Sequence, residues 1–150
     1  MKITLILFAI FLCSCALSAQ EVTGSIGNGT VRKGTSARGT VVLTIPTELH
    51  VNSNKPKSEY AIPTTVRITG AGVTVGAITF PRGTNRKFQF SENLINVYEG
   101  TVFFPFTIRV PRNYKGSSIT LKAVVRYQAC TNEVCYPPKS KTIDLTAKVR

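Results

Sequence analysis

Cys130 and Cys135 have four residues between them in the run Tyr127 to Pro138, YQACTNEVCYPP. Thiols this close in sequence have three uses: a bond made and broken in exchange with other thiols, a fixed local staple, or part of a metal site. In the chain-entropy view, a disulfide closing about six residues stabilises a fold by roughly 2 kcal/mol, against roughly 4.7 kcal/mol for a loop of about 100 residues. A bond selected for stability spans more chain, whereas an exchanging pair needs its resolving thiol close by. A zinc site wants about four ligands, and His50 is the chain's one histidine. The exchanging pair is therefore the favoured reading, with a staple at a hairpin end and a metal site left open beside it.

Exchange is carried by the thiolate, so pKa and exposure set the rate. Glu133, between the cysteines, raises a neighbouring thiol pKa; Arg126, Lys139 and Lys141 lower it if they fold back. Tyr136 and the Pro137-Pro138 pair stiffen the exit, because proline fixes φ and restricts the residue before it. That stiffness holds Cys135 in one place.

The longer run Val125 to Lys141, VRYQACTNEVCYPPKSK, resembles the cysteine hairpin of the N-terminal periplasmic domain of the bacterial disulfide reductase DsbD. There a Tyr-Gln-x-Cys start and a Cys-Tyr-Pro-Pro end bracket a redox pair. The four-residue spacing here is shorter than in the best-known members. Beyond the hairpin the likeness rests on length and strand pattern, over about residues 22 to 150.

The resemblance implies that Cys135 forms mixed disulfides with partners and that Cys130 resolves them, with no cofactor beyond the Cys130–Cys135 disulfide. The implied partners are periplasmic thioredoxin-like or disulfide-isomerase proteins and a membrane disulfide reductase. Family members also cover the pair with a short loop carrying an aromatic residue. Here that loop falls near Phe88 to Ile95, FQFSENLI, with Phe90 as the shield and Ser91 as the alternative occupant. Phe88 and Phe90 equally suit core filler on one face of a strand. Tyr127 and Tyr136 flank the pair, and His50 and Tyr60, from a long irregular stretch, are further lining candidates. No eight-helix membrane domain and no thioredoxin-like CxxC domain follows, so the expectation is a free-standing version of the domain.

The elements that must carry this hairpin are strands. Helix signals are nearly absent, and strand signals recur about every 10 to 15 residues, which predicts an all-β, immunoglobulin-like β-sandwich of one domain. Val41, Leu43 and Ile45 share a face within Arg38 to Ile45, as do Val66 and Ile68 within Thr64 to Thr69. Val102, Phe104, Phe106, Ile108 and Val110 alternate with outward residues, the clearest half-buried strand. Pro105 inside it predicts an edge or a bulge. Ile119, Leu121, Ala123, Val125 and Tyr127 alternate in the strand that leads to Cys130, and Ile143, Leu145, Ala147 and Val149 form the last one. His50 to Pro63 reads as a long connection between sheets, with a functional loop as the alternative.

The N-terminus has the layout of a secretory signal peptide over residues 1–19: Lys2, an apolar run Ile3 to Leu12, then small residues Ser14, Ala16, Ser18 and Ala19. Residues 20–150 form the mature domain. The alternative is a lipoprotein leader ending at Ser14, with Cys15 lipidated; Cys13 and Cys15 are otherwise apolar residues of a discarded peptide. Export, to the periplasm or beyond, fits a disulfide, and the membrane enters only through Cys15.

The chain carries a formal net charge of +12, and loss of the leader's single Lys leaves +11. Arg32, Lys33, Arg67, Arg82, Arg86, Arg109 and Arg126 are scattered through strands and turns, the pattern of a solvated face that steers acidic protein partners. With no nucleic-acid-binding motif present, nucleic acid is not expected as a partner. The rival reading is a non-enzymatic envelope protein-binding sandwich whose disulfide is a permanent clip. A hydrolase lacks a nucleophile motif and clustered carboxylates.

Overall fold

A computed structural model of the chain describes residues 20–150. The expected leader, with its cleavage and Cys15 alternatives, lies outside them. In chain order the strands are β1 Glu21–Ile26, β2 Thr30–Val31, β3 Ser36–Thr44, β4 His50–Asn52, β5 Thr65–Thr69 and β6 Thr74–Val75. They continue with β7 Thr84–Arg86, β8 Ile95–Tyr98, β9 Thr101–Arg109, β10 Ser118–Tyr127, β11 Ala129–Cys130 and β12 Lys139–Val149. There is no helix among the described residues.

Three four-stranded sheets result, in the orders β1-β3-β9-β6, β2-β12-β10-β5 and β11-β4-β8-β7. All pairings are antiparallel except β12 with β2. The first two sheets make the all-β sandwich that the alternation predicts. Val41 and Leu43 of β3, Val102 to Ile108 of β9, and Ile119 to Tyr127 of β10 turn alternate side chains into one apolar core with Ile26 and Leu145. Each such side chain, fully buried, contributes about 1.5–3 kcal/mol. Gly24 is close to its own sheet and to the facing one: a Cβ there would lie 2.5 Å from the carbonyl oxygen of Thr40 on neighbouring β3 and 2.8 Å from Leu145 Cδ2 of the opposite sheet.

Pro105 is not on an edge strand, since β9 lies between β3 and β6. Its carbonyl accepts from Thr79 N at 2.9 Å, so its missing N–H would point to that same side, away from β3. The two-residue β6 pairs only with Arg109 and Ile108 and never reaches Pro105. The proline thus sits beyond the regular β6 pairing, beside an irregular segment that donates to its carbonyl and asks for no N–H in return.

The third sheet is absent from the sequence reading, and it carries the site. His50–Asn52, expected as the start of a loop, is a strand flanked by β11 and β8. Alternation separates its two faces. Val51, Tyr98 and Ala129 stand in one row and belong to the main core. His50, Cys130 and Val97 turn the other way, towards a small second cluster of Phe88, Ile95 and Val97 with Ala61 against it. With both faces covered, His50, Val51 and Asn52 are all buried, which removes the polar-apolar alternation that marks a strand. The irregular connection is then the stretch from Ser53 to Thr64.

Candidate functional site

β10 runs the length of its sheet and delivers Tyr127 to its end; after Gln128 the chain crosses to β11 and turns back. The turn is held by local hydrogen bonds. Thr131 N donates to Val134 O at 2.8 Å, and Thr131 Oγ1 accepts from Glu133 N at 3.2 Å and Val134 N at 3.1 Å. Tyr136 N donates to Ala129 O at 2.8 Å. Between these, Cys130 and Cys135 face each other as an isolated antiparallel bridge and are joined by a disulfide, with Cα atoms 4.0 Å apart.

The two sulfurs live in different surroundings. Cys130 has no solvent exposure, whereas Cys135 is exposed. Cys135 lines a cleft of about 230 Å³ with Asn52, Ser58, Tyr60, Ala61, Phe90, Ser91, Ile95 and Gln128. Of the two, Cys135 is therefore the cysteine open to an approaching molecule, and Cys130 is the enclosed one.

Phe88 and Phe90 belong to the loop between β7 and β8 rather than to a strand. Turn geometry still stacks them, with ring centroids 5.2 Å apart and planes 5° from parallel. Phe88 stacks in turn on His50 at 4.1 Å and 12°. A three-ring column thus runs from His50, which pairs with Cys130, to Phe90, 41% exposed and beside Cys135. Both expected cap-loop residues, Phe90 and Ser91, line the cleft. Tyr60, 87% exposed, forms its outer lip.

Of the remaining candidates, Tyr136 is exposed directly after Cys135. Tyr127 does not reach the cleft: it is 1% exposed in the main core, and its hydroxyl has no hydrogen-bond partner. Burial pushes that phenol above its ordinary pKa. His50 is 3% exposed with Nε2 unpartnered. Burial holds its imidazole below the ordinary 6.5; Glu99 pulls partly back up, and Arg86 adds to the depression. Glu133 is exposed in the turn. The ion pairs among the described residues, Arg86–Glu99 and Lys122–Asp144, do not include it, and they leave Arg126, Lys139 and Lys141 unengaged too.

Sequence reasoning passed over Gln128. Its Oε1 accepts from Asn52 Nδ2 at 2.9 Å and from Ile62 N at 3.2 Å, while its Nε2 donates to Tyr136 O at 3.2 Å. One amide therefore ties β4, the Ser53–Thr64 connection and the cysteine ring together. Asn52 Nδ2 also donates to Ile62 O, and Thr64 Oγ1 to Asn52 O, so the connection is pinned at its base. The visible signal was a polar residue wedged between an apolar strand and a cysteine.

Set against known proteins, the profile of the family described as "Thiol:disulfide interchange protein DsbD, N-terminal" matches residues 28–147. The chain belongs to that family. The DsbD N-terminal match takes in the cysteine hairpin, the ring column and the cleft, most of the described chain. No curated protein matches. Among solved structures, the N-terminal periplasmic domain of ScsB from Proteus mirabilis has a similar fold: TM-score 0.54 at 12% identity, covering 84% of this chain and 45% of that one. The chain thus spans less than half of that structure's length. A family 123 glycoside hydrolase from Clostridium perfringens overlaps more loosely, at TM-score 0.41 and 12% identity, covering 87% of this chain and 27% of that one. Neither likeness bears on activity.

Proposed function

We propose that this DsbD-type N-terminal domain works in the periplasm as a thiol–disulfide relay through Cys130 and Cys135. It takes reducing equivalents from a membrane disulfide reductase and gives them to thioredoxin-like or disulfide-isomerase partners. The observation that carries the reading is the asymmetry of the pair: a solvent-facing Cys135 in a cleft bonded to a fully buried Cys130.

In the loading step a donor thiolate attacks Cys135 Sγ, the Cys130–Cys135 bond breaks, and its electron pair leaves on Cys130 Sγ. The donor's second thiolate then displaces Cys135 and becomes oxidised. In the unloading step Cys135 thiolate attacks a partner disulfide and forms a mixed disulfide. Cys130 thiolate next attacks Cys135 Sγ, the partner's sulfur departs as a thiolate, and the ring closes. Two electrons pass at each stage, and no diffusible cofactor is called for.

The test is trapping. With Cys130→Ser the mixed disulfide that Cys135 forms by attacking a partner's disulfide has no resolving thiol, so a covalent adduct with a disulfide-form partner accumulates and disappears with dithiothreitol; Cys135→Ser gives no such adduct. Absence of any adduct on Cys130→Ser under reducing flux refutes the relay. A permanent clip is the rival, and the reduction potential separates the two, because structural bonds lie below about −300 mV.

A further inference from the structure

We propose that His50 is the base that serves Cys130: it takes the thiol proton when Cys130 attacks and returns it when Cys130 leaves. The inference deepens the exchange reading and rests on it. Cys130 and His50 are direct partners in the β11–β4 antiparallel register. Such residues project from the same face with Cβ atoms about 4.5–5.5 Å apart. Cys130 is wholly buried and His50 nearly so, so solvent is not the proton acceptor for this sulfur.

His50 Nε2 is buried without a hydrogen-bond partner, an uncommon state for a polar atom. In the closed ring Cys130 Sγ is bonded to Cys135 and carries no proton. Opening the ring creates a thiol on the residue paired with His50, whose buried Nε2 lacks a partner. The stack on Phe88 fixes the plane of the imidazole. A buried thiol also has a raised pKa, so Cys130 needs a base to attack at neutral pH.

The charged groups around the imidazole are few. One step beyond the paired residues, the β4–β8 register sets Glu99 across from His50. Its carboxylate is engaged by Arg86 of β7 at 2.8 Å. Lys87, next to Phe88, donates to the Glu92 carbonyl. β11 brings no charge, being Ala129 and Cys130. Burial outweighs Glu99 and keeps the imidazole neutral near neutral pH, the form that accepts a proton.

In the resolving step Nε2 takes the Cys130 proton and the thiolate pair attacks Cys135 Sγ. The Cys130–Cys135 bond forms, and the sulfur held on Cys135 leaves with the former bonding pair. In the loading direction the donor thiol gives up its proton as it becomes the attacking thiolate, and the pair displaced onto Cys130 Sγ takes up one proton through the imidazole, which is left neutral again.

The experiment uses the reduced protein with glutathione disulfide, following by mass the glutathione adduct on Cys135 and its decay as the ring closes. His50→Phe keeps the ring stack, and His50→Gln keeps a polar side chain; neither titrates. For both, the expected result is adduct formation at the wild-type rate, with ring closure at pH 7 slowed by about tenfold or more. The pH profile of closure should move to the alkaline range of the thiol. Closure at the wild-type rate and profile in a folded variant overturns the proposal and leaves the relay standing. If wild-type protein never forms or closes the adduct, both fall.

A measurement that needs no variant is the NMR titration of His50 in the oxidised and reduced wild-type protein. Two distinct titration curves support the pairing with Cys130, and superimposable curves overturn it.

Discussion

Reducing the Cys130–Cys135 bond should leave the sandwich folded. The ring closes about six residues, which limits its entropic contribution to ~2.2 kcal/mol at 25 °C. A domain the size of residues 20–150 unfolds with an entropy of ~0.28 kcal/mol/K, so the expected fall in Tm is ~8 °C. Most of the main core lies away from the bond: Cys135 is exposed, and Ile26, Leu43 and Phe104 are buried between sheets far along the chain from it. The turn also keeps its own hydrogen bonds, Thr131 N to Val134 O and Tyr136 N to Ala129 O. The assay is thermal unfolding by circular dichroism with and without dithiothreitol, with free thiols counted to verify opening. A reduced protein already unfolded at 25 °C, or a Tm lowered by more than ~20 °C, would refute the reasoning and make the bond a staple.

Phe90→Ala should speed opening of the ring by dithiothreitol several-fold, read by thiol release; with Phe90 41% exposed, stability should change by less than about 1 kcal/mol. Gln128→Ala removes the amide that joins Asn52, Ile62 and Tyr136. The expected cost is about 1–3 kcal/mol, with faster amide exchange across the Ser53–Thr64 connection. For pH, the folded-state pKa of His50 lies below 6.5, so the unfolded chain binds more protons in that window and stability falls as pH drops through 6.5 towards the folded value. His50→Phe should flatten that acid limb in Tm-versus-pH curves, and equal slopes in the two proteins would contradict it.

The sandwich was legible wherever a strand has one wet face. β3, β9, β10 and most of β12 appear in the alternation of Val41, Phe104, Leu121 and Leu145 with polar neighbours, and the cysteine motif pointed to the ring. β12 starts at Lys139, before its apolar pattern, because its backbone follows β10 back to the Lys139–Tyr127 pair. The third sheet was hidden for opposite reasons. His50–Asn52 is covered on both faces, β7 is exposed throughout, and β11 has only two residues; none shows a period. Phe88 and Phe90, two apart, mimic a strand face, yet a turn brings their rings together. The Gln128 clamp joins residues 66 and 76 positions apart in sequence, a separation that no local pattern encodes.

The Gln128 clamp and the Tyr136–Ala129 hydrogen bond hold the returning limb through contacts that do not involve the sulfurs. Those contacts would keep Cys135 a fixed post and not a swinging arm when the ring opens. Under the proposed relay, any protein that exchanges with Cys135 must bring a protruding sulfur and fit it into the cleft lined by Tyr60 and Phe90, so choice among partners would be made by the visitor's contour before any bond rearranges.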